Sequence, residues 1–318
     1  MTALLVASTG GHLAELHDLV PRLGVPDRRW VTFDSPQSRS LLEGEDVVHV
    51  RPSTTRDLPG ALRTMAVARR MLSDGRYDEV ISTGASIALS FFVPAVATGV
   101  RCTYIESATR TEGPSLTGRL AAWLPRTRLF TQHRAWADHT WRYGGSIFDS
   151  FHAEPARPRP VRKVVVTLGT HPGYAFPRLL NRLVDILPPH LEVLWQTGAT
   201  RIDRMPAGAR AQVPIAEMRR ALRDADVVIS HAGVGSALAA MQAGRRALYV
   251  PRRRAYGEHV DDHQVAIARD LEKRDLVVAR EAGEVTFADL ETAAGWSVRS
   301  LPVVTPFRLT SETQQSVP

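Results

Sequence analysis

Short apolar runs, each closed by a glycine, a proline or an acidic residue, alternate along this chain with segments whose apolar residues return every three to four positions. The first pattern predicts buried strands, and the second predicts amphipathic helices. Strands are expected over residues 4–8, 30–33, 47–50, 80–82 and 103–105, with helices over 13–23, 38–42, 58–72 and 87–97 between them. A proline-rich break at 153–160 reads as a linker. Beyond it the rhythm restarts. Strands are predicted over 163–168, 192–196, 227–230, 247–250 and 276–279, and helices over 176–187, 216–223, 236–242, 262–273 and 287–294.

Two successive arrays of alternating strand and helix imply an α/β chain with two Rossmann-like, doubly wound parallel-sheet domains facing a cleft. The expected boundaries are 1–154 for the first domain, 161–296 for the second and 297–318 for a polar, partly disordered tail. Ligands are expected at the carboxyl ends of the strands.

Composition narrows the class. Across 318 residues, 44% are hydrophobic and 23% charged, which excludes a disordered or collagen-like chain. The single cysteine, Cys102, rules out an internal disulfide and fits a buried strand in a reducing compartment. The N-terminus lacks a basic region before its apolar run, so it reads as a first strand and not as a secretory signal. The longest apolar stretch, 87–100, is interrupted by Ser90, Pro94 and Thr98 and falls short of the roughly 20 residues a bilayer requires. A cytoplasmic protein is expected. The net charge of +7 attracts anions in general. Its arginines are scattered apart from clusters at 157–163 and 252–254, so no nucleic-acid partner is expected.

Three stretches carry candidate chemistry. Ser8-Thr9-Gly10-Gly11-His12 joins a strand end to a helix start. Paired glycines let the backbone turn sharply and approach a ligand, and the helix N-terminus offers unpaired N–H groups. His12 reads either as a general base or as a residue of a tight turn. Ser230-His231-Ala232-Gly233-Val234-Gly235-Ser236 repeats this arrangement in the second half, where the helix N-terminus suits a diphosphate. Glu258-His259-Val260-Asp261-Asp262-His263-Gln264 opens a later helix. There Asp262 reads as a cap and Gln264 as a partner for sugar hydroxyls. His259 and His263, four apart, also admit a metal reading, but no third ligand is identifiable from sequence and none is assigned.

These stretches resemble one family. Residues 8–15, Ser82-Thr83-Gly84, and 104–107 running to 115–118 are similar to the membrane-associated subunit of the dolichol-pathway GlcNAc transferase and its bacterial exopolysaccharide counterparts. The second half resembles the donor-binding subunit of the same enzymes. The matches there are 166–170, Gln196-Thr197-Gly198, 230–236, Val250-Pro251-Arg252 and 258–264. The lipid II-forming GlcNAc transferase is similar but more distant. The chain thus reads as a glycosyltransferase family 28-like fusion of two subunits.

The resemblance implies a GT-B fold, a UDP-sugar donor, a lipid-linked or other hydrophobic acceptor, and an inverting mechanism with no cofactor or essential metal. Net charge +7, the lack of a membrane-spanning run and an amphipathic stretch over 116–124, with Arg119 on it, predict peripheral contact with the inner face of a membrane; the same stretch also reads as a helix packed on the first domain. The resemblance makes His12 the base near the acceptor. Substrate contacts are expected from Gly10, Gly11, Glu15, Gly84 and Glu106 in the first half. In the second they are expected from Gly169, Thr170, Gln196, Gly198, His231, Gly233, Gly235, Ser236, Arg252, His259, Asp262, His263 and Gln264. One position departs from the family pattern: the glutamate that commonly binds the nucleotide ribose is Ala239 here. A sugar-nucleotide epimerase of the same fold and a non-catalytic binding module are the alternatives. An epimerase would require buried acid/base carboxylates, and the sequence shows no obvious extra pair.

Overall fold

The computed structural model describes residues 2–52, 57–157, 160–301 and 306–309. Two compact units divide between Asp149 and Ser150.

The first unit runs β1 (Thr2–Val6), α1 (Gly11–Leu23), β2 (Asp27–Phe33), α2 (Pro36–Leu41), β3 (Val47–Val50) and α3 (Leu58–Leu72). It continues through β4 (Glu79–Ser82), α4 (Ser86–Ala97), β5 (Arg101–Ile105), α5 (Leu116–Ala121), β6 (Thr127–Thr131) and β7 (Trp141–Tyr143). Its seven strands pair in parallel in the order β3-β2-β1-β4-β5-β6-β7. Ala3 to Val6 are fully buried because helices cover both faces of the sheet. Helix α4 is apolar nearly all round and sits between α3, α5 and the sheet. Cys102 is buried in this core, and desolvation pushes its thiol up to about 12.

The second unit runs β8 (Phe151–Pro155), β9 (Lys163–Thr167), α6 (Pro177–Ile186), β10 (Glu192–Gln196), α7 (Ile215–Asp224), β11 (Val227–His231) and α8 (Val234–Gln242). It ends with β12 (Ala247–Val250), α9 (His263–Lys273), β13 (Val277–Ala279), α10 (Phe287–Ala294) and β14 (Trp296–Ser300). Five strands form a parallel sheet in the order β10-β9-β11-β12-β13. Strands β8 and β14 form a separate antiparallel pair.

That pair moves the expected boundaries. Residues 150–154 leave the first domain, because the backbone groups of 151–155 are satisfied by 296–300 of the second unit. The tail is likewise not polar coil from 297 onward. It begins as β14, and Phe307 then buries its ring in the first unit against Phe130 and Gly144. A Cβ at Gly144 would collide with that ring.

In each sheet the strand order reverses once, between β1 and β4 in the first unit and between β9 and β11 in the second. Crevices for ligands open at the carboxyl ends of strands at such switch points.

Candidate functional site

In the first unit the switch point is occupied by the start of α1. Gly10 takes φ 90°, a conformation that disfavours a side chain. Its N–H donates to Gln37 Oε1 (2.6 Å) and its carbonyl accepts from Gln37 Nε2 (3.1 Å). Gly11 is exposed at the first helical position. His12 Nδ1 donates to the Thr83 carbonyl (2.9 Å), and Thr83 Oγ1 donates back to the His12 carbonyl (2.8 Å). This reciprocal clasp fixes the tautomer and leaves Nε2 as the basic nitrogen. Gly84 matters here because a Cβ would come within 3.0 Å of the Tyr104 hydroxyl and 3.1 Å of the His12 ring. The sequence missed Thr83 as the residue that orients His12, since the two lie 71 positions apart.

Glu15 and Glu106, expected to touch substrate, are buried and hold a loop. Glu15, on the buried side of α1, accepts from Ala108 N–H (2.7 Å), Ser107 Oγ (2.9 Å) and Gln132 Nε2. Burial raises its carboxyl to about 7, against the pull of those three donors. Glu106 accepts from the Ser115 N–H (2.9 Å) and hydroxyl (3.0 Å) and from the Ser107 N–H (3.2 Å), and burial raises its pKa too. Gly118 is glycine because a Cβ would strike Glu106 and Trp141. The two carboxylates are therefore a buried pair that the sequence did not reveal. Their hydrogen bonds are spent on ordering residues 106–115.

In the second unit the switch point is built around His231. Its Nδ1 donates weakly to the Thr167 carbonyl (3.4 Å), and its ring lies against two glycines. A Cβ on Gly169 would sit 2.8 Å from the ring, and one on Gly233 would sit 2.5 Å from Nε2. These glycines thus make room for a histidine as well as for any ligand. Desolvation, aided by nearby Arg252, lowers the His231 pKa to about 3, so the ring is neutral at physiological pH. Gly198, at φ 58°, packs its backbone onto the Gly169 carbonyl so tightly that no Cβ fits. Thr170 is exposed in the loop after β9. Gly233 caps α8 at its N-terminus, with Gly235 and Ser236 in the first turn.

Three residues expected to touch substrate are engaged within the protein. Gln196 is buried, donates to Thr167 Oγ1 (2.9 Å) and accepts from Val213 N–H (3.0 Å). Gln264 is buried and accepts from the Arg252 N–H (3.0 Å), which commits its carbonyl end. Arg252 is also buried and donates to the Leu168 and Tyr174 carbonyls, the latter at 2.9 Å. Burial lowers its pKa to about 10, and it remains a cation. Arg252 thus straps the loop after β9 to the loop after β12.

Asp262 occupies the N-cap position of α9, but its carboxylate accepts from Arg254 N–H (3.0 Å) and makes no capping bond to the helix. His259 lies before the helix and not on one helical face with His263. Their rings meet edge to face at 4.6 Å. Burial and neighbouring His263 lower the His259 pKa to about 4. Residues given no role by the sequence complete this surface. Tyr174 stacks between His171 (4.6 Å) and His259 (4.3 Å). Glu258 takes two bonds from Arg178 of α6 (2.8 and 2.9 Å) and one from Arg253 N–H (2.9 Å), pinning the segment in place. No periodic signal marks Tyr174 or Arg178, because both contacts span about 80 residues. Ala239, on α8, is partly buried against the cluster formed by Val165, Leu222 and Val228.

Comparison with known proteins agrees with this architecture. Residues 163–290 match the glycosyltransferase family 28 C-terminal domain. The chain is 34% identical over 139 residues to the UDP-N-acetylglucosamine--N-acetylmuramyl-(pentapeptide) pyrophosphoryl-undecaprenol N-acetylglucosamine transferase of Cupriavidus necator. That match covers 41% of this chain and 38% of the relative, so the chain spans well under half of the relative's length. Among solved structures, MurG of Acinetobacter baumannii superposes with a TM-score of 0.54 at 18% identity, covering 92% of this chain and 89% of that one. The glycosyltransferase SnogD of Streptomyces nogalater gives 0.55 at 17%, covering 92% and 93%. At such identities the structural likeness establishes the fold, which is GT-B. The chain therefore matches the glycosyltransferase family 28 C-terminal domain over residues 163–290, within a GT-B fold.

Proposed function

We propose that this protein is a glycosyltransferase that moves a hexose such as GlcNAc or glucuronic acid from a nucleotide-diphosphate donor, UDP-linked, to a lipid-linked or other hydrophobic acceptor. The observation that carries the reading is the family 28 domain match over the unit whose switch point holds Gly169, His231 and Gly233 beside the N-terminus of α8. The positive end of the α8 helix dipole suits a diphosphate there. Arg252 adds a buried positive charge at the same strand ends. In the first unit His12 Nε2 takes the acceptor hydroxyl proton as that oxygen attacks the anomeric carbon, and the nucleoside diphosphate leaves. One direct displacement of this kind inverts the anomeric configuration. The residues named here supply the proton acceptor and the anion site without a metal.

The buried carboxylates Glu15 and Glu106 do not favour the epimerase alternative, since loop 106–115 already occupies their hydrogen bonds. A screen over several sugar nucleotides tests the reading. Slow release of free nucleoside diphosphate is expected, and the best donor should raise the melting temperature most. Interconversion of the sugar without release would transfer the protein to the epimerases, and binding without turnover would make it a module.

Ala239 bears on the nucleotide. A carboxylate one turn into α8 would accept hydrogen bonds from ribose hydroxyls, worth about 1.5–3 kcal/mol each when charge-assisted. Ala239→Glu is expected to tighten UDP binding, with the gain shrinking for 2′,3′-dideoxy-UDP. Equal gains on both ligands, measured by calorimetry, would withdraw this assignment.

The proposal includes peripheral membrane contact from the cytoplasmic side. Among the described residues, no helix is long and apolar enough to cross a membrane. Leu58 and Leu62 on α3, Val93 on α4, and Leu116, Leu120 and Trp123 at α5 are exposed on successive helices of the first unit. Arg63, Arg119 and Arg126 are exposed among them. Apolar side chains with interspersed cations suit an anionic bilayer surface. Co-sedimentation with anionic vesicles is expected, weakening with added salt and with Trp123→Ala. Binding indifferent to both changes would contradict this surface.

A further inference from the structure

We propose that His259, Asp261 and His263 form a binding site for one divalent transition-metal ion of the zinc class. Sequence spacing offered two histidines and no third ligand, and the structure supplies it. One donor atom from each of the three residues lies within 4.8 Å of the others. Asp261 Oδ1 sits between the imidazoles, in contact with His263 Nδ1 and 3.5 Å from His259 Nδ1.

His259 Nδ1 is the informative atom. It is buried and makes no hydrogen bond of good geometry, a costly condition for a ring nitrogen. Its ring is held in place by Tyr174 at 4.3 Å on its face and by His263 at 4.6 Å. The backbone around it is fixed by the Glu258–Arg178 pair on one side and the Gln264–Arg252 bond on the other. A preordered nitrogen aimed at a carboxylate oxygen, with a second imidazole beside it, is half of a metal site before any ion arrives.

The donor set selects the ion. Two imidazole nitrogens and one carboxylate oxygen suit zinc and its neighbours, and magnesium or calcium would demand more oxygen ligands. Metal–ligand bonds of about 2.0–2.2 Å place ligand atoms roughly 3.3 Å apart in a tetrahedral site. The His259–Asp261 separation already meets that spacing, and His263 needs only to turn away from Asp261. Water or an anion completes the shell.

Ion binding stands on these residues alone. Its consequence rests on the donor-site reading: Asp262, His263 and Gln264 are among the donor contacts that the family resemblance implies, so an occupied site should weaken donor binding.

The test uses the full chain without a histidine tag. Calorimetry should find one equivalent of Zn²⁺, and Co²⁺ should give visible bands of a low-coordinate site. His259→Ala and Asp261→Asn should each lower the affinity by more than roughly 100-fold, and His190→Ala, exposed elsewhere in the unit, should leave it unchanged. Should those variants fold poorly, imidazole nitrogen resonances of the wild-type protein decide: two histidines, 259 and 263, should shift with Zn²⁺. Absence of a visible band at tenfold excess Co²⁺, or shifts confined to other histidines, would overturn the site. If Zn²⁺ binds as described and the affinity for a UDP-sugar, compared with UDP alone, is indifferent to it, the metal site stands and the donor-site reading at residues 262–264 fails.

Discussion

His12→Ala is expected to lower sugar transfer by roughly 10² to 10⁴ while the donor still binds with near wild-type affinity. The bond from His12 Nδ1 to the Thr83 carbonyl commits one ring nitrogen to orientation and makes Nε2 the basic one. Removing the ring deletes both roles, yet the helix start itself keeps its support from Gln37 at Gly10. Thr83→Val separates orientation from fold. It removes the hydroxyl bond to the His12 carbonyl but keeps the Thr83 carbonyl, so its loss should be much smaller. Steady-state turnover with calorimetric donor affinity checks the pair. Turnover equal to wild type in a folded His12→Ala protein would leave His12 as a turn residue only.

Gly198→Ala is expected to be the most damaging single-methyl change in the second unit. The added carbon would overlap the Gly169 carbonyl oxygen, a backbone atom that no rotamer change can move aside. It also meets a φ of 58°, which L residues adopt at a cost. A loss of about 3 kcal/mol follows from steric strain of this kind, or a melting shift of roughly 6–12 °C. Gly208→Ala supplies the control. Gly208 has φ 72° with no atom within 4 Å of the added carbon, so it incurs only the conformational cost, about 1 kcal/mol. Thermal or urea unfolding of both variants isolates the clash. Because Gly169 opens the loop at the switch point, donor affinity should fall with Gly198→Ala and stay with Gly208→Ala. Equal destabilisation of the two would mean that the close approach of these loops is not maintained in solution.

Much of the fold is legible in the hydrophobic pattern, and the parts that are not share a cause. Elements predicted over 47–50, 58–72, 192–196, 247–250 and 287–294 have the same bounds in the structure. Each is either a short, mostly apolar run or a segment with an apolar face. Strands β6 to β8 and β14 escape the pattern. Three-residue β7 is too short to show a period, and β6 places Thr127 and Arg128 at its start. Strands β8 and β14 carry mixed residues because they pair only with each other, outside the main sheets. The boundary at the proline-rich segment erred for the same reason, since nothing in 151–155 announces a partner 145 residues away.

The candidate site divides along similar lines. Glycine-rich turns after strands locate both switch points, because a turn's demand on backbone conformation is local. The work of individual side chains is not local. The family resemblance places Glu15 among the substrate contacts, and in the fold its carboxylate accepts from Ser107, Ala108 and Gln132. Gln196 and Arg252 lie at strand ends where ligands bind, and both are consumed by neighbouring loops. Asp261 stands in the candidate stretch 258–264 without an assigned role, since spacing alone does not identify a third ligand. Only the folded turn brings its oxygen between His259 and His263.

The central claim is that a nucleoside diphosphate binds at the switch point of the second unit, against the N-terminus of α8. Amide hydrogen exchange of the full chain with and without saturating UDP tests it most directly. Protection is predicted in the segments around Gly169–Thr170 and Gly233–Ser236, with further slowing across 252–264 and no comparable change in β8 or β14. Protection confined to the first unit, or none anywhere at a UDP concentration that raises the melting temperature, would contradict the claim.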